Sequence, residues 1–511
     1  MGNKKLKEVL YMLDSYASLI KIRRRVFEEV AKLAYEDADL SRLADIPYEM
    51  LNGQAKYRES IFLERAIVRE RLRLAIGLPV RSADEHAPVT KGIEAAIKAE
   101  RFYEPPLVNV IDFACNSCPE ESYYVTDACV GCLANPCANV CPKGAIRIVN
   151  GKSIIDQEKC IKCGKCEKVC PYNAILHRKR PCAKACGMDA IESDEYGRAK
   201  INYDKCVSCG MCIVNCPFGA IADKSQIYQV IMAIKSETPV YAIMAPAFVG
   251  QFGPKVNLKT IDDAVAQLGF SGFYEVSIGA DLCTIEEAED FLDNVPSKFK
   301  WMGTSCCPSW SVMAKKEFPE FKENISMALT PMVLTARMVK KEHPNAKIVF
   351  IGPCSAKKLE ASRQSVRSDV DFVLTFEELM GMFVAKKVDF TKLKENPLRN
   401  ETSSDARGFA VAGGVANAVV NVIKRWHPDK EIKVANAQGL ANCKKLLEQA
   451  KAGKYDGYLL EGMACPMGCV SGAGTITAHN KTKALIEVSK KETPVKNPLD
   501  SIYKDKVHHL D

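Results

Sequence analysis

The sequence predicts an α+β protein built from several domains, and three observations support this prediction. The chain has 511 residues, more than one hydrophobic core usually organises. Residues 1–104 lack cysteine and carry apolar residues at helical spacing, whereas residues 105–230 hold sixteen cysteines. From residue 238 onward, apolar runs alternate with helical stretches, a pattern typical of α/β domains with parallel strands.

Composition narrows the class of protein. Apolar residues make up 47% of the chain, and the formal net charge is +8. No basic run or aromatic-rich basic face indicates nucleic-acid binding. The apolar run Val9 to Leu13 is too short for a secretory signal, and no stretch of about 18 apolar residues could span a membrane. We therefore expect a cytoplasmic protein without membrane or nucleic-acid partners, whose 23 cysteines are reduced and available to metal.

The flanking regions are expected to be structural. Residues 1–104 are predicted to form a helical scaffold on the next domain, with a partner-docking module as the alternative. The Lys-rich tail, 486–511, is expected to be a surface extension. Between them, in 238–485, the predicted strands are VYAIMAP, FYEVSI, AKIVFIG, GFAVAGG and DGYLLEG. The predicted helices of this region include 262–268, 311–318 and 332–341.

The segment 105–230 repeats the cysteine spacing of bacterial ferredoxins. Two runs read C-x2-C-x2-C-x3-C-P: Cys160, Cys163, Cys166 and Cys170, then Cys206, Cys209, Cys212 and Cys216. A variant with C-x2-C-x4-C-x3-C-P contains Cys129, Cys132, Cys137 and Cys141. In such a run the first three thiolates bind one 4Fe–4S cubane and the fourth binds its neighbour. One run alone could bind zinc, but three in one segment predict a ferredoxin-like 4Fe–4S domain.

Crossed ligation divides the sixteen cysteines into four groups. The first two are Cys129, Cys132, Cys137 with Cys170, and Cys160, Cys163, Cys166 with Cys141. If Cys186 of the CAKAC motif completes Cys206, Cys209 and Cys212, the fourth group is Cys115, Cys118, Cys182 and Cys216. Three accessory clusters are therefore expected, and a fourth forms if the chain brings residues 115–118 back to the others.

Three motifs in the C-terminal region resemble those of iron-only (FeFe) hydrogenases. They are TSCCPSW at 304–310, GPCSAKKLE at 352–360 and EGMACPMGCVSGAG at 461–474, in the family's order. The resemblance extends over roughly residues 238–480. It implies that 238–485 is an α/β iron-only hydrogenase catalytic domain, which follows the helical region and the ferredoxin-like domain.

The resemblance also implies a cofactor and a reaction. The family's H-cluster is a 4Fe–4S cubane joined to a two-iron subsite with CO, cyanide and a dithiolate amine. The matching cubane ligands are Cys307, Cys354, Cys465 and Cys469, of which Cys469 takes the bridging position. The implied reaction is 2 H+ + 2 e- = H2, with electrons relayed by the accessory clusters to ferredoxin or another redox protein.

Further site residues follow from the same resemblance. The proton path would run from Cys306 through Glu287 and Ser326 to Asp290, although Glu289 is adjacent to Asp290 and any of these acids could instead lie on a solvated helix face. Lys357 would pair with a cyanide ligand. The pocket of the two-iron subsite would be lined by Ala245, Pro246, Ala247, Thr330 and Met463.

The chain departs from the commonest family pattern, which has Met at the position of Gly352, Gln at that of Met332 and three glycines where this chain reads GAG. Cys283 and Cys443 lie outside the motifs and are interpreted as small buried residues. Two alternatives to an enzyme stay open: a hydrogen sensor of low turnover, and a non-catalytic iron–sulfur assembly or electron-transfer protein. Sensors of the family usually carry an added signalling domain, and assembly relatives typically lose positions such as Cys306 or Lys357. GxGxxG is absent from the sequence, which disfavours direct NAD binding.

Overall fold

The computed structural model describes residues 18–82, 84–97, 104–362, 368–397 and 401–510. Within these residues, the N-terminal region forms the helices Ser18–Tyr35, Ile46–Met50, Ile61–Ala75 and Ile93–Ala96. Short 3-10 helices occur at Leu40–Ala44, Asp112–Ala114, Pro246–Phe248, Pro319–Asn324, Cys469–Ser471, Pro498–Asp500 and Lys504–Lys506.

The first helix packs on the C-terminal domain. It lies along helix Phe376–Ala385, where a Cβ built at Gly381 would be 2.8 Å from Phe27 Cβ, so the two helices approach closely because Gly381 has no side chain. Arg23 and Arg24 both pair with Glu377 of that helix. The N-terminal region thus contacts the C-terminal domain through this helix and the cysteine-rich segment through helix Ile61–Ala75, and its role as a scaffold stays a prediction.

The cysteine-rich segment is built from short antiparallel strand pairs and single-turn helices. The pairs are Val108–Val110 with Ile221–Asp223, Ser122–Val125 with Ile175–Arg178, Ile146–Val149 with Lys152–Ile155, and Ile191–Ser193 with Ala199–Ile201. The helices are Pro136–Asn139, Lys165–Val169, Pro181–Lys184 and Met211–Asn215. The first two of these helices pack together, as do the last two, so the segment consists of two ferredoxin-like units.

The C-terminal domain contains two parallel sheets. In spatial order the first contains Gly272–Glu275, Val240–Met244, Lys347–Gly352 and Phe372–Thr375. The second contains Met302–Gly303, Tyr458–Met463 and Lys433–Gln438. In the first sheet Ala242 lies opposite Val349, and Val349 opposite Phe372, so buried apolar residues face one another across three strands.

Helices cover these sheets. They are Ile227–Lys235, Ile261–Ala266, Ser277–Asn294, Pro308–Glu317, Pro331–Glu342, Ala356–Ala361, Phe376–Ala385, Ser404–Gly408, Gly414–Trp426, Leu440–Lys451 and His479–Glu492. Helix Ser277–Asn294 is largely buried and packs against three neighbouring helices. No helix in the described part of the chain is long and apolar enough to cross a membrane.

Two expectations from the sequence are wrong. The run GFAVAGG is not a strand: it is the end of helix Ser404–Gly408 and a tight loop, and it is apolar because Phe409 and Ala410 face an internal cavity. The tail is not a surface extension either. Ser501, Val507 and Leu510 are buried, and Ser501 Oγ donates a hydrogen bond of 3.0 Å to Glu401 O.

Candidate functional site

The four predicted cubane ligands of the three C-terminal motifs, Cys307, Cys354, Cys465 and Cys469, line one cavity of about 90 Å³. Cys354 follows strand Lys347–Gly352, and Cys465 follows strand Tyr458–Met463. Cys307 precedes helix Pro308–Glu317, and Cys469 begins a 3-10 turn. Because parallel strands present their carboxyl ends at one edge, loops far apart in sequence meet there.

These thiols are enclosed by protein. Burial raises the pKa of Cys354 to about 11 and that of Cys469 to about 12. It also raises the pKa of Cys307, although the backbone N–H of Ala464, 3.5 Å from Cys307 Sγ, acts in the opposite direction. Four thiolates facing one enclosed cavity therefore need compensating positive charge, which metal would supply.

The wall of the cavity is mainly apolar. Ala245, Pro246, Ala247 and Met463 line it, as the resemblance implies. Thr330 is outside the lining and instead donates a hydrogen bond of 2.6 Å from Oγ1 to Glu360 Oε1. The cavity is thus suited to exclude water from a bound group.

Lys357 contributes a buried cation to this wall. Its Nζ lies 2.7 Å from Glu360 Oε2, a contact that occupies at most one of its three N–H groups. Burial lowers the pKa of Lys357, but the charge of Glu360 and the thiolates outweigh this effect and raise it above its ordinary value. A charged N–H donor therefore remains available at the cavity.

Cys306 lines the same cavity beside Cys307. Burial raises the pKa of its thiol well above the ordinary value, and the nearby carboxylate of Glu287 adds to this effect. Glu287 is itself fully buried, which raises its pKa to about 7. One of its oxygens accepts from Ser305 N, while Oε2 has no hydrogen-bond partner among the described residues.

The next pair of the implied proton path is hydrogen-bonded. Ser326 Oγ donates to Asp290 Oδ2 at 2.6 Å, and Asp290 is half-buried, one helical turn from Glu287. Glu289, the alternative to Asp290, instead pairs at the surface with His508, 2.9 Å away. The geometry therefore favours Asp290 over Glu289 as the neighbour of Ser326.

The structure brings fifteen of the sixteen remaining motif cysteines together as the spacing predicts, and the place of Cys163 stays a prediction. Two groups each line a cavity: Cys129, Cys132, Cys137 and Cys170, and Cys115, Cys118, Cys182 and Cys216. In the other two groups, neighbouring thiols raise one another's pKa beyond the effect of burial, Cys141 and Cys160 acting on Cys166, and Cys186 acting on Cys206, Cys209 and Cys212. The chain thus returns residues 115–118 to Cys182 and Cys216.

A hydrogen bond repeats in these groups. In each cysteine motif of this segment, the last cysteine accepts a hydrogen bond from the backbone N–H four residues later, at 3.3–3.4 Å. The pairs are Ala145 to Cys141, Ala174 to Cys170, Ala190 to Cys186, and Ala220 to Cys216. N–H groups directed at thiolate sulfur are among the interactions that adjust cluster potentials. Local backbone geometry thus prepares these thiols for cluster binding.

The donor set fits a group larger than one ion. Within the described ranges, no three Cys, His, Asp or Glu side chains converge closely enough to hold a single metal ion. The cysteines instead surround cavities, as expected when a multi-atom cluster lies between thiolates. The buried Lys357 Nζ, whose contact with Glu360 occupies at most one of its N–H groups, further suits an anionic ligand in the C-terminal cavity. Iron–sulfur clusters at all five sites are therefore compatible with the residues present.

Sequence reasoning missed two carboxylates that support the site. Glu360 joins Lys357 to Thr330. Glu461 accepts from Gly413 N at 2.6 Å and from Ala416 N at 2.8 Å, which holds the loop carrying Phe409 and Ala410 against the cavity. Both residues lie inside the quoted motifs, so their positions were visible, but their partners Thr330, Gly413 and Ala416 lie far away in the sequence.

The space beside Gly352, where the commonest family pattern has Met, is occupied by another side chain. A Cβ built there would lie 2.6 Å from Cε1 of Phe350, whose ring lines the cavity. Phe350 therefore fills the space that a side chain at 352 would use. Met332, the second departure, also lines the cavity and is fully buried. Cys283 and Cys443 are fully buried too, in agreement with their interpretation as small core residues.

The fold and the cysteine groups define an iron–sulfur protein with a further buried cysteine site in its C-terminal domain. Comparison with known proteins agrees. A family described as "Iron only hydrogenase large subunit, C-terminal domain" matches residues 238–473, and the 4Fe–4S binding domain family matches 153–176 and 199–222.

Individual relatives extend this similarity. The chain is 31% identical over 372 residues to the periplasmic [Fe] hydrogenase large subunit of Nitratidesulfovibrio vulgaris, covering 63% of this chain and 85% of the relative. It is 27% identical over 438 residues to iron hydrogenase 1 of Clostridium pasteurianum, covering 75% and 76%. A cytosolic Fe-S cluster assembly factor of Xenopus tropicalis is 23% identical over 319 residues, covering 50% and 67%. The chain belongs to the iron-only hydrogenase family.

Proposed function

We propose that the protein is a cytoplasmic enzyme that catalyses 2 H+ + 2 e- = H2 at an H-cluster. The observation that carries the proposal is the fifth thiol, Cys306, together with the buried Lys357 Nζ, in the cavity of the four motif cysteines. A cubane needs only four thiolates. An electron-transfer or assembly protein would have no use for a further buried thiol and cation at this place.

In this proposal Cys307, Cys354, Cys465 and Cys469 would hold the cubane, with Cys469 also serving the two-iron subsite. When bound, the H-cluster would supply an iron site at which hydrogen is formed or split. Lys357 Nζ would donate to a cyanide ligand, while its ion pair with Glu360 keeps the ammonium charged. Ala245, Pro246, Ala247 and Met463 exclude water, and Thr330 acts indirectly by orienting Glu360.

The chain's own groups then move protons. Cys306 Sγ exchanges a proton at the cavity, and Glu287, whose pKa of about 7 allows both protonation states near neutrality, passes it on. Ser326 and Asp290, joined by their hydrogen bond, carry it toward the half-buried end of the path. Water or a small displacement of side chains bridges Glu287 and Ser326.

Electrons reach the cavity through the accessory groups. Cys209 belongs to one such group and also lines the cavity of the motif cysteines, so the two sets are neighbours. We propose four accessory 4Fe–4S clusters and, as partner, a ferredoxin or another redox protein. The 23 cysteines support a reducing, anaerobic cytoplasm, because exposed thiolate-bound clusters are sensitive to oxidation.

The test compares adjacent cysteines in the matured holoprotein. Cys306→Ala should keep the iron content and the infrared bands of metal-bound CO and cyanide, but hydrogen turnover should fall by about two orders of magnitude, the scale of a lost acid–base group. Cys307→Ala should instead lose iron and weaken the bands, since it removes a ligand. Near-full activity of Cys306→Ala would overturn the proposed proton path.

The assembly alternative rests on the similarity to the Xenopus tropicalis factor over half of the chain. It predicts a protein with iron–sulfur clusters but no CO or cyanide bands and no exchange between D2 and protons. A low-turnover sensor would show the bands and slow exchange. The infrared spectrum and the exchange rate of the wild-type protein therefore separate all three functions.

A further inference from the structure

The second ferredoxin-like unit meets the C-terminal domain at a buried junction. Gly210, inside the run from Cys206 to Cys212, lies against two residues of the C-terminal motifs. A Cβ built at Gly210 would be 3.0 Å from Ser355 Oγ and 2.6 Å from Ala473 Cβ. Since Ser355 follows Cys354, an accessory cysteine loop directly contacts a loop of the C-terminal site.

Lys358 joins the elements around this contact. Its side chain is 1% exposed. Its Nζ donates to Asp223 Oδ2 at 2.8 Å, to Lys224 O at 2.7 Å and to Glu378 Oε1 at 3.0 Å. Asp223 ends the last strand of the ferredoxin-like domain and Lys224 follows it, whereas Glu378 lies in the first turn of helix Phe376–Ala385. The three ammonium hydrogens therefore join the end of the ferredoxin-like domain to a helix of the C-terminal domain.

The network extends to the C-terminal motifs on both sides. Asp223 Oδ2 also accepts from Ser355 Oγ at 3.0 Å, next to Cys354. Glu378 forms a capping box with Thr375, and Thr375 packs directly against the third-motif residue Gly474. A displacement of Lys358 would thus be transmitted to the loops that carry Cys354 and Cys469.

The two adjacent lysines of GPCSAKKLE have different surroundings. Consecutive residues of a helix point about 100° apart. Lys357 accordingly faces the cavity and pairs with Glu360, whereas Lys358 faces the junction with Asp223. An apolar side chain could fill the space of Lys358, but it could not hold three polar partners in fixed directions.

We propose that Lys358 is a positioning residue that fixes the distance between the accessory group containing Cys209 and the four motif cysteines, and thereby the rate of electron transfer between their clusters. This inference rests on the proposed function only in that both cysteine sets bind clusters. Tunnelling rates fall exponentially with distance, so a small shift at the junction matters. A neutral residue at 358 would also leave the carboxylates of Asp223 and Glu378 without their shared cation, which is unfavourable at a buried junction.

The primary test needs no hydrogen turnover. Wild-type protein and Lys358→Met are reconstituted with iron and sulfide and partly reduced, and the magnetic coupling between the accessory cluster and the motif cubane is measured by electron paramagnetic resonance. Lys358→Met should retain the iron content but weaken the coupling, and Lys358→Arg should largely restore it. Arg73→Met is the matched control, because Arg73 is also a buried cation and its partners among the described residues all belong to the N-terminal region.

A second measurement uses the matured protein. Exchange between D2 and protons needs only the catalytic site, whereas dye-linked hydrogen uptake also needs the accessory chain. Lys358→Met should lower the ratio of uptake to exchange several-fold, because tunnelling falls exponentially with the distance between the clusters. Asp223→Asn, which leaves Lys358 and its two other acceptors in place, should lower the ratio less.

Unchanged coupling and an unchanged ratio in iron-replete Lys358→Met would overturn the positioning role. If Lys358→Met loses iron, weakened coupling in iron-replete Asp223→Asn supports the role and unchanged coupling overturns it. If the wild-type protein shows coupled clusters but no exchange, the proposed enzyme function fails, while the coupling data still decide the role of Lys358.

Discussion

Glu287→Gln gives a quantitative test of the proposed proton path. The Glu287 side chain is fully buried, Oε1 accepts from Ser305 N, and Oε2 has no partner among the residues that the structure describes. Gln has nearly the same shape and keeps the acceptor at Oε1. The substitution therefore removes the titratable proton while it changes the packing little.

The pKa of Glu287 sets the size and sign of the effect. Burial is the main cause that raises it from the ordinary 4.5 to about 7, and Asp290 and Glu461 add to this shift. Between pH 4.5 and pH 7 the folded protein holds a proton on Glu287 that the unfolded chain releases. The free energy of unfolding therefore decreases as pH rises through this range and stays low above about pH 7. The full loss is about 3 kcal/mol. About 2 kcal/mol of it falls between pH 5.5 and pH 8.

Anaerobic urea denaturation of both proteins at pH 5.5 and pH 8 measures this difference. From pH 5.5 to pH 8, the free energy of unfolding of Glu287→Gln should rise by about 2 kcal/mol relative to that of wild type, because only wild type loses this contribution. The cost of burying the amide is the same at both pH values and cancels in the comparison. Hydrogen turnover should fall by about two orders of magnitude at every pH, with CO and cyanide bands retained.

The matched control is Glu289→Gln. Glu289 lies on the same helix but pairs with His508 at the surface. Its variant should therefore show neither the rise in the free energy of unfolding relative to wild type nor the loss of hydrogen turnover. A stability difference independent of pH in Glu287→Gln would refute the protonation of Glu287 near neutrality. Retained turnover would refute its place in the proton path.

Three further predictions concern the clusters and the cavity. Cys115→Ala should lower the iron content from about 22 to about 18 atoms per chain, because it removes one ligand of the fourth accessory group; an unchanged content would eliminate that cluster. Gly352→Met alone should destabilise the protein by about 1–3 kcal/mol by overpacking against Phe350, and Phe350→Ala in the same chain should recover most of this loss in thermal denaturation. Met332→Gln adds an amide to the cavity wall and should shift the ratio of hydrogen production to uptake, measured electrochemically; an identical ratio would contradict this.

The cysteine groups were predictable because their geometry is local. Thiolates two or three residues apart share a loop, and the last cysteine of each set accepts a backbone hydrogen bond from four residues onward, as Cys170 does from Ala174. Spacing therefore carries most of the information, and the structure brings together the predicted neighbours of every group except Cys163. Even the return of Cys115 to Cys182 follows by elimination once crossed pairing is assumed.

Other features depend on partners that spacing does not reveal. GFAVAGG was predicted as a strand because its residues are apolar, but they are apolar since the loop faces a cavity. Strand Lys433–Gln438 was missed because it is only half-buried and lacks an apolar run. The ring of Phe350 occupies the space beside Gly352, so the residue type at position 352 alone does not predict the shape of the cavity. Thr330 was assigned to the cavity wall, yet Glu360 takes its hydrogen bond.

The two proposed routes into the cavity follow different physical requirements, and this explains where their residues lie. Protons need polar groups in hydrogen-bond contact, and Glu287 and Asp290 supply them one turn apart on a single helix, with Ser326 bonded to the second. Electrons need only proximity, so a bare backbone at Gly210 and a positioned Lys358 suffice. Variants of the two routes should therefore fail in different assays. Glu287→Gln should leave the magnetic coupling of the clusters unchanged, and Lys358→Met should leave D2 exchange unchanged. A variant of either residue that impaired both readouts without losing iron would mean that the routes share a structural element, and the separation argued here would fail.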